Sequence, residues 1–176
     1  SVLAIVGNAG VFYYRLFAEK VKSTPSFKVL VMNLCLADWL MGVYMLIIGA
    51  ADAVYKGRYV QGEREWTGSV ACTVAGVLSF VSSEVSAFVL CLITLDRVLA
   101  ICFSFKHTVR LTRGATVGLC CGAWVLGFVM AAVPLLAHMD FYGQNGICIP
   151  LPITRQEFSG QTYAFAVFIC LNFILF

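Results

Sequence analysis

Apolar residues in this chain gather into long runs separated by short polar stretches. The runs are Ser1 to about Phe17, about Phe27 to Ala51, about Ser69–Phe103, about Arg113–Ala137, and a last one that opens near Ser159 and reaches Phe176. A helix needs roughly 20 predominantly apolar residues to cross a bilayer, and each complete run clears that length. The pattern predicts an all-α integral membrane fold. It reads as one partial bundle over residues 1–176, with the first and fifth helices truncated. Both ends lie inside apolar runs, with no initiator Met, and the start lacks the basic flank and small-residue cleavage site of a signal peptide. The expectation is a fragment of a longer membrane protein.

The third run, from Cys72 to Phe103, organises the rest. A helix from Cys72 to Asp96 rises about 36 Å at 1.5 Å per residue, more than the roughly 30 Å of a bilayer's hydrocarbon core. It can hold Cys72 at one interface and Asp96-Arg97 at the other. Ser79, Ser82, Ser83 and Ser86 recur at spacings of three and four, which puts them on one stripe of a helix. Glu84 lies off that stripe near mid-membrane, where a carboxyl is costly and marks a candidate functional position. It is expected to face the fourth and fifth helices. There it either pairs with a hydroxyl such as Thr162 or Tyr163, or stands protonated in a structural role.

Composition agrees, with 61% hydrophobic and only 12% charged residues, against roughly 25% charged in a soluble domain. The net charge of +3 is then a matter of sidedness and not a sign of nucleic-acid binding. The first connection carries Arg15, Lys20, Lys22 and Lys28, and the third carries Arg97, Lys106, Arg110 and Arg113. The second carries Lys56, Arg58 and Arg64, offset by Asp52, Glu63 and Glu65, and the fourth only Arg155. Lys plus Arg is eight on one side and four on the other, so the first and third connections are cytoplasmic. The N-terminal side then faces outside, with the loops 52–68 and 138–158.

Sidedness sorts the cysteines. Cys72 and Cys148 share the oxidising face, where disulfides persist. One Cys72–Cys148 bridge is expected, with two free thiols as the alternative. Cys35, Cys91, Cys120, Cys121 and Cys170 lie within apolar runs and Cys102 at the cytoplasmic end, all reading as small packing residues. Asp38, Asn8 and Ser86 fall at one depth, about 10–15 Å from the inner face. Either a Na⁺ with water completes an oxygen-only site on them, or a neutral Asp38 hydrogen-bonds Asn8. Asp96-Arg97 reads either as a snorkelling anchor or as a local ion pair broken in one state of a switch. Trp124 reads as a packing aromatic, and Trp66 as a cap on the bundle or part of the aromatic belt.

Several function classes lose support. No Gly-rich phosphate loop, HExxH or paired-CxxC spacing is present. A membrane enzyme would cluster His, Asp or Glu near one interface, and the two histidines, His107 and His138, fall on opposite faces. A transporter or channel would route substrate past Asp38 and Glu84 and would show repeats or broken helices. No repeat is visible, and Pro134 is the one proline inside a run.

Taken in order, the landmarks are Gly7-Asn8, then NLCLAD with Asn33 and Asp38, Trp66, Cys72, D-R-V at Asp96, Arg97 and Val98, Trp124 and Cys148. This set resembles the rhodopsin-like G-protein-coupled receptors over the whole chain. The stretch Val74–Phe88, with its Ser-Glu pair, resembles the third helix of the leucine-rich-repeat receptors. Leu36–Asp52, Tyr55–Trp66 and Tyr142–Pro152 are most similar to relaxin-type receptors and their invertebrate relatives. D-R-V stands in place of the commoner D-R-Y. The family's sixth- and seventh-helix motifs and a repeat ectodomain fall outside this sequence.

The resemblance implies helices one to five of a seven-helix bundle in the plasma membrane. It implies no catalytic residues and no cofactor beyond a possible allosteric Na⁺ on Asp38, Asn8 and Ser86. Its expected partners are an extracellular peptide or protein hormone, a heterotrimeric G protein and the lipid bilayer, with no nucleic acid. A glycoprotein-hormone type of receptor is the alternative. By the same resemblance Arg97 is held by Asp96 at rest and released toward the G protein, with Lys106 and Arg110 nearby.

Overall fold

The computed structural model describes residues 2–18, 24–102, 111–137, 141–143, 145–149 and 160–172. All regular structure among them is helical. Helix α1 is Val2–Tyr13 and runs on as a π-helical turn over Tyr14–Ala18. Then come α2 (Pro25–Tyr55), α3 (Tyr59–Thr67), α4 (Val70–Cys102) and α5 (Arg113–Leu136). The last, α6 (Gln161–Phe165), widens into a π-helical stretch over Ala166–Leu171. Helices α2, α4 and α5 are long and apolar enough to cross a membrane, and Val2–Phe17 is a shorter apolar helix.

Helix starts follow local chemistry. Pro25 opens α2, where its fixed φ suits the first turn and its missing N–H costs nothing. Thr112 caps α5, its side chain accepting from the Ala115 N–H at 3.3 Å. Within the outer stretch 52–68, expected as a loop, the structure differs. Helix α2 continues to Tyr55, and α3 follows after a tight turn. A Cβ at Gly62 would run into the Tyr55 ring, so glycine permits α3 to fold back this closely.

Helix α4 is the axis of the bundle. It packs on α2, α3 and α5, while α1 leans on α2. The main core gathers Phe80, Val81, Val85 and Val89 of α4 with Leu30 and Ala37 of α2 and Met130 of α5. A second cluster joins Tyr44, Trp66, Ala75 and the Cys72–Cys148 pair at the end of the bundle that the charge pattern assigns to the outside, called the outer end below.

Pro134 explains one tie between the helices. It has no N–H to offer the carbonyl of Met130, four residues earlier. The Tyr163 hydroxyl of α6 takes that carbonyl at 2.7 Å. Tyr163→Phe is therefore expected to cost about 1–3 kcal/mol, the range for orphaning a buried acceptor. In a Pro134→Ala background the restored N–H recaptures the carbonyl, and the cost should fall toward zero. A double-mutant cycle on thermal unfolding in detergent checks this; equal costs in both backgrounds would contradict it.

Candidate functional site

Three places along α4 carry the polar side chains that the sequence singles out. The outermost is the disulfide. Cys72 and Cys148 are bonded, with Cα atoms 5.4 Å apart, and both are fully buried. The backbone that presents Cys148 is unusual, with φ at 55°, in the left-handed region that a side chain rarely adopts. Asn145 holds it there. Its Nδ2 donates to the Ile149 carbonyl at 2.6 Å, its Oδ1 accepts from the Ile149 N–H at 2.9 Å, and its own carbonyl accepts from the Cys148 N–H at 2.9 Å.

Aromatic donors fasten this loop to the helices. Trp66 Nε1 donates to the Gly146 carbonyl at 2.7 Å and Tyr44 to the Ile147 carbonyl at 2.8 Å. Tyr142 donates to the Ala131 carbonyl of α5 at 2.8 Å. Burial, with Tyr163 nearby, pushes the Tyr142 hydroxyl above its ordinary range, so it stays a donor. Gly76 makes room for the loop, since a Cβ there would strike the Tyr142 ring and come within 2.8 Å of the Cys148 carbonyl. Of the two readings of Trp66, the structure gives the cap. Nothing in the sequence pattern singled out Asn145, Tyr44 or Tyr142. The aromatic-rich flanks of the outer loops were the available signal.

Midway down α4 the serine stripe splits. Ser82 donates to the Ala37 carbonyl of α2 at 2.9 Å, and Ser86 to Asp38 Oδ1 at 3.0 Å. Ser79 turns back to the carbonyl of Gly76 at 3.0 Å. Ser79 and Ser83 line a cavity of about 310 Å³ with Met41, Tyr44, Phe80 and Phe168, beneath Ile149 of the outer loop. Asp38 and Ser86 are thus brought together. Asn8 is not joined to them by a hydrogen bond among the described residues. Its amide donates to the Ala4 carbonyl at 2.9 Å, and its side chain lines a groove between α1 and α2 with Cys35 and Trp39. Equal depth did not place it on the same face. The neutral Asp38–Asn8 bond is likewise not formed. The Asp38 carboxylate and Ser86 hydroxyl are hard oxygens suited to a Na⁺, and Asn8 does not complete the set.

Glu84 is completely buried and turns toward the last helix, but to neither expected hydroxyl. Tyr163 is engaged by Met130, and Thr162 is exposed. Asn172 Nδ2 donates to Glu84 Oε1 at 3.3 Å instead. Asn172 lies nine residues beyond Tyr163 and ten beyond Thr162, so Glu84 meets the last helix further along than either hydroxyl. Glu84 Oε2 and Asn172 Oδ1 are both buried without a partner. A proton on Oε2 would join the two atoms and close an acid–amide ring of two bonds.

Trp124 does more than pack. Its Nε1 donates to Asn33 Oδ1 at 3.0 Å, linking α5 to α2, while Asn33 Nδ2 holds the Val29 carbonyl at 2.9 Å.

At the inner end the expected Asp96–Arg97 ion pair is absent among the described residues. Asp96 is buried and lines a cavity of about 340 Å³ with Arg97, Ser26, Leu111 and Arg113. Arg97 points to α2, its Cζ 3.9 Å from the centroid of the Phe27 ring. Successive residues of a helix point about 100° apart, which separates the two charges despite their adjacency. Val98 is exposed. Cys35 and Cys120 are buried as packing residues, whereas Cys102 and Cys121 are exposed. Lys20, Lys22, Lys106, Arg110, His107, His138, Arg155 and the side chain of Cys170 lie outside the described residues.

A helical bundle with a disulfide-anchored outer loop, a polar α2–α4 seam and an arginine at the inner end of α4 is the architecture of a seven-helix membrane receptor. The chain belongs to the 7 transmembrane receptor (rhodopsin family), whose family model matches residues 7–176. It is 40% identical to the G-protein coupled receptor GRL101 of Lymnaea stagnalis, over the whole chain and 16% of that protein. It is 34% identical to the human relaxin receptor 2, again over the whole chain and 24% of that protein. The lutropin-choriogonadotropic hormone receptor of Sus scrofa is 31% identical, over the whole chain and 24% of its length. These relatives bear out the leucine-rich-repeat, relaxin-like resemblance. The chain spans about a quarter or less of each.

Glu84→Gln is expected to leave thermal stability nearly unchanged, because the amide keeps the bond from Asn172 and gains a donor for its Oδ1. Glu84→Leu leaves the Asn172 amide with only its 3.4 Å bond to the Phe168 carbonyl and should cost about 1–3 kcal/mol. Thermal unfolding of the purified receptor checks both; equal losses would show that the acid itself is required.

Proposed function

We propose that this chain is the membrane part of a G-protein-coupled receptor that transmits an extracellular peptide or protein hormone signal, relaxin-like in type, to heterotrimeric G proteins. It acts as a transducer and not as an enzyme. It sits in the plasma membrane with its N-terminal side outside. One observation supports the reading: α4 is bonded through Cys72–Cys148, at one end, to the loop that carries Cys148, and presents Arg97 five residues before its other end at Cys102. Force or contact on the loop acts directly on the helix that presents the arginine. Its similarity to a G-protein coupled receptor and to a relaxin receptor supports both the class and the ligand type.

Activation is a shift between two helix packings, and a ligand moves it only by as much as it prefers one of them. Ser79, Ser83 and Phe168 line the cavity under Ile149, and a hormone-driven movement of the outer loop would be felt first there. Asp38 and Ser86 would hold a Na⁺ with water, favouring the packing in which α2 and α4 are closed at this level. The ion would supply charge compensation for a carboxylate that has no cationic side chain bonded to it among the described residues.

In the full-length receptor, a relaxin-like peptide is expected to speed nucleotide exchange on a purified G protein by about fivefold or more, the usual scale of allosteric coupling. Arg97→Gln should abolish that stimulation at unchanged surface amount. Stimulated exchange that is indifferent to Arg97 would overturn the reading. Replacing K⁺ by Na⁺ should lower basal exchange in the wild type and have no effect in Asp38→Asn; equal salt responses would remove the ion from the account.

A further inference from the structure

Two arginines from two different helices converge on one aromatic ring at the inner face. Phe27 is the third residue of α2 and is half-buried. Arg97 of α4 has its Cζ 3.9 Å from the ring centroid, and Arg15, in the π-helical turn after α1, has its Cζ 5.5 Å away. Asp96 and Arg97 both line the adjoining cavity with Ser26, Leu111 and Arg113, but no ion pair joins the two among the described residues.

We propose that the Phe27 ring is the resting seat of Arg97, a positioning residue that keeps the guanidinium against α2 until the bundle rearranges. The proposal rests on the reading of Arg97 as the coupling residue. A guanidinium is planar and weakly hydrated, so it stacks on an aromatic face at less desolvation cost than an ammonium. The attraction comes from the electron-rich face of the ring and strengthens as water is excluded. The surroundings of Phe27 favour it. The ring is half-buried, Ser26 beside it is buried and bonded to the Leu111 carbonyl at 2.6 Å, and the first turn of α2 is thereby fixed to the start of α5. The seat is rigid, and the arginine is the part that can leave.

This arrangement differs from retention by an acid. Loss of the Asp96 charge leaves the stacking contact intact, whereas loss of the ring face releases Arg97 even with Asp96 present. It also gives α1 a part, because Arg15 approaches the same ring.

The test uses the full-length receptor with fluorinated phenylalanines at position 27, which keep the ring's shape while withdrawing charge from its face, alongside Phe27→Trp and Phe27→Leu. Two readouts are taken on each: basal nucleotide exchange by a purified G protein, and the NMR shift of the Arg97 side-chain N–H, assigned by Arg97→Lys. Basal exchange should rise stepwise with fluorination, by about two- to fivefold at full fluorination or in Phe27→Leu. Phe27→Trp should stay at or below the wild-type rate. The Arg97 signal should carry an upfield ring-current shift in the wild type and lose it in Phe27→Leu. Basal exchange indifferent to fluorination, or an Arg97 signal unmoved by Phe27→Leu, overturns the proposal. An Arg97 signal that moves as expected in a receptor with no exchange activity confirms the seat and overturns the coupling role, and with it the receptor reading.

Discussion

Inside a bilayer a polar group has no water to fall back on, and this constraint orders the interior of the chain. Three polar side chains that α4 turns inward are met from a neighbour. Ser82 reaches a backbone carbonyl of α2, Ser86 reaches Asp38, and Glu84 reaches Asn172 beyond α6. The same rule runs through α5. Pro134 releases a carbonyl and Tyr163 takes it, while Trp124 finds Asn33. These contacts fix the register of the helices against one another, because a shift of one turn would strand several buried groups together. Apolar packing supplies the bulk of the contact, and the polar pairs select one alignment among many that packing alone would tolerate.

The two ends of α4 are built differently. At the outer end a covalent bond, an Asn145 clasp and three aromatic donors make the loop and the helix nearly one body. At the inner end Arg97 rests on a ring, with no bonded counter-charge among the described residues. A rigid input and a releasable output at opposite ends of one helix suit a transducer. Coupling through such a helix needs no special pathway beyond the two packings it can occupy.

Much of this was legible in the chain. The apolar runs gave the helices, and the Lys and Arg pattern put Cys72 and Cys148 on one face, where the structure bonds them. What stayed hidden depended on rotation about a helix axis or on exact depth. Asn8 shares a level with Asp38 but not a bond, and Glu84 meets the last helix at Asn172, nine residues beyond Tyr163. Asp96 and Arg97 are neighbours in sequence and line one cavity, yet Arg97 turns to the Phe27 ring, which the motif alone disguises. The short helix α3 was missed because its charged sequence, YVQGEREWT, carries no apolar run; Trp66 and Gly62 hold it in place through tertiary contacts. Phe27 looked like the first apolar residue of a membrane segment, and only the placement of Arg15 and Arg97 gives its ring a role.

The central claim is that the outer loop acts on the inner face through its bond to α4. It is tested most directly by hormone-stimulated nucleotide exchange in the full-length receptor with the Cys72–Cys148 bond intact and in Cys148→Ser, at matched surface amount and hormone occupancy. The account predicts that stimulation is lost in the variant while basal exchange persists, since the severed loop no longer bears on the helix. Full stimulation through the severed loop would contradict it.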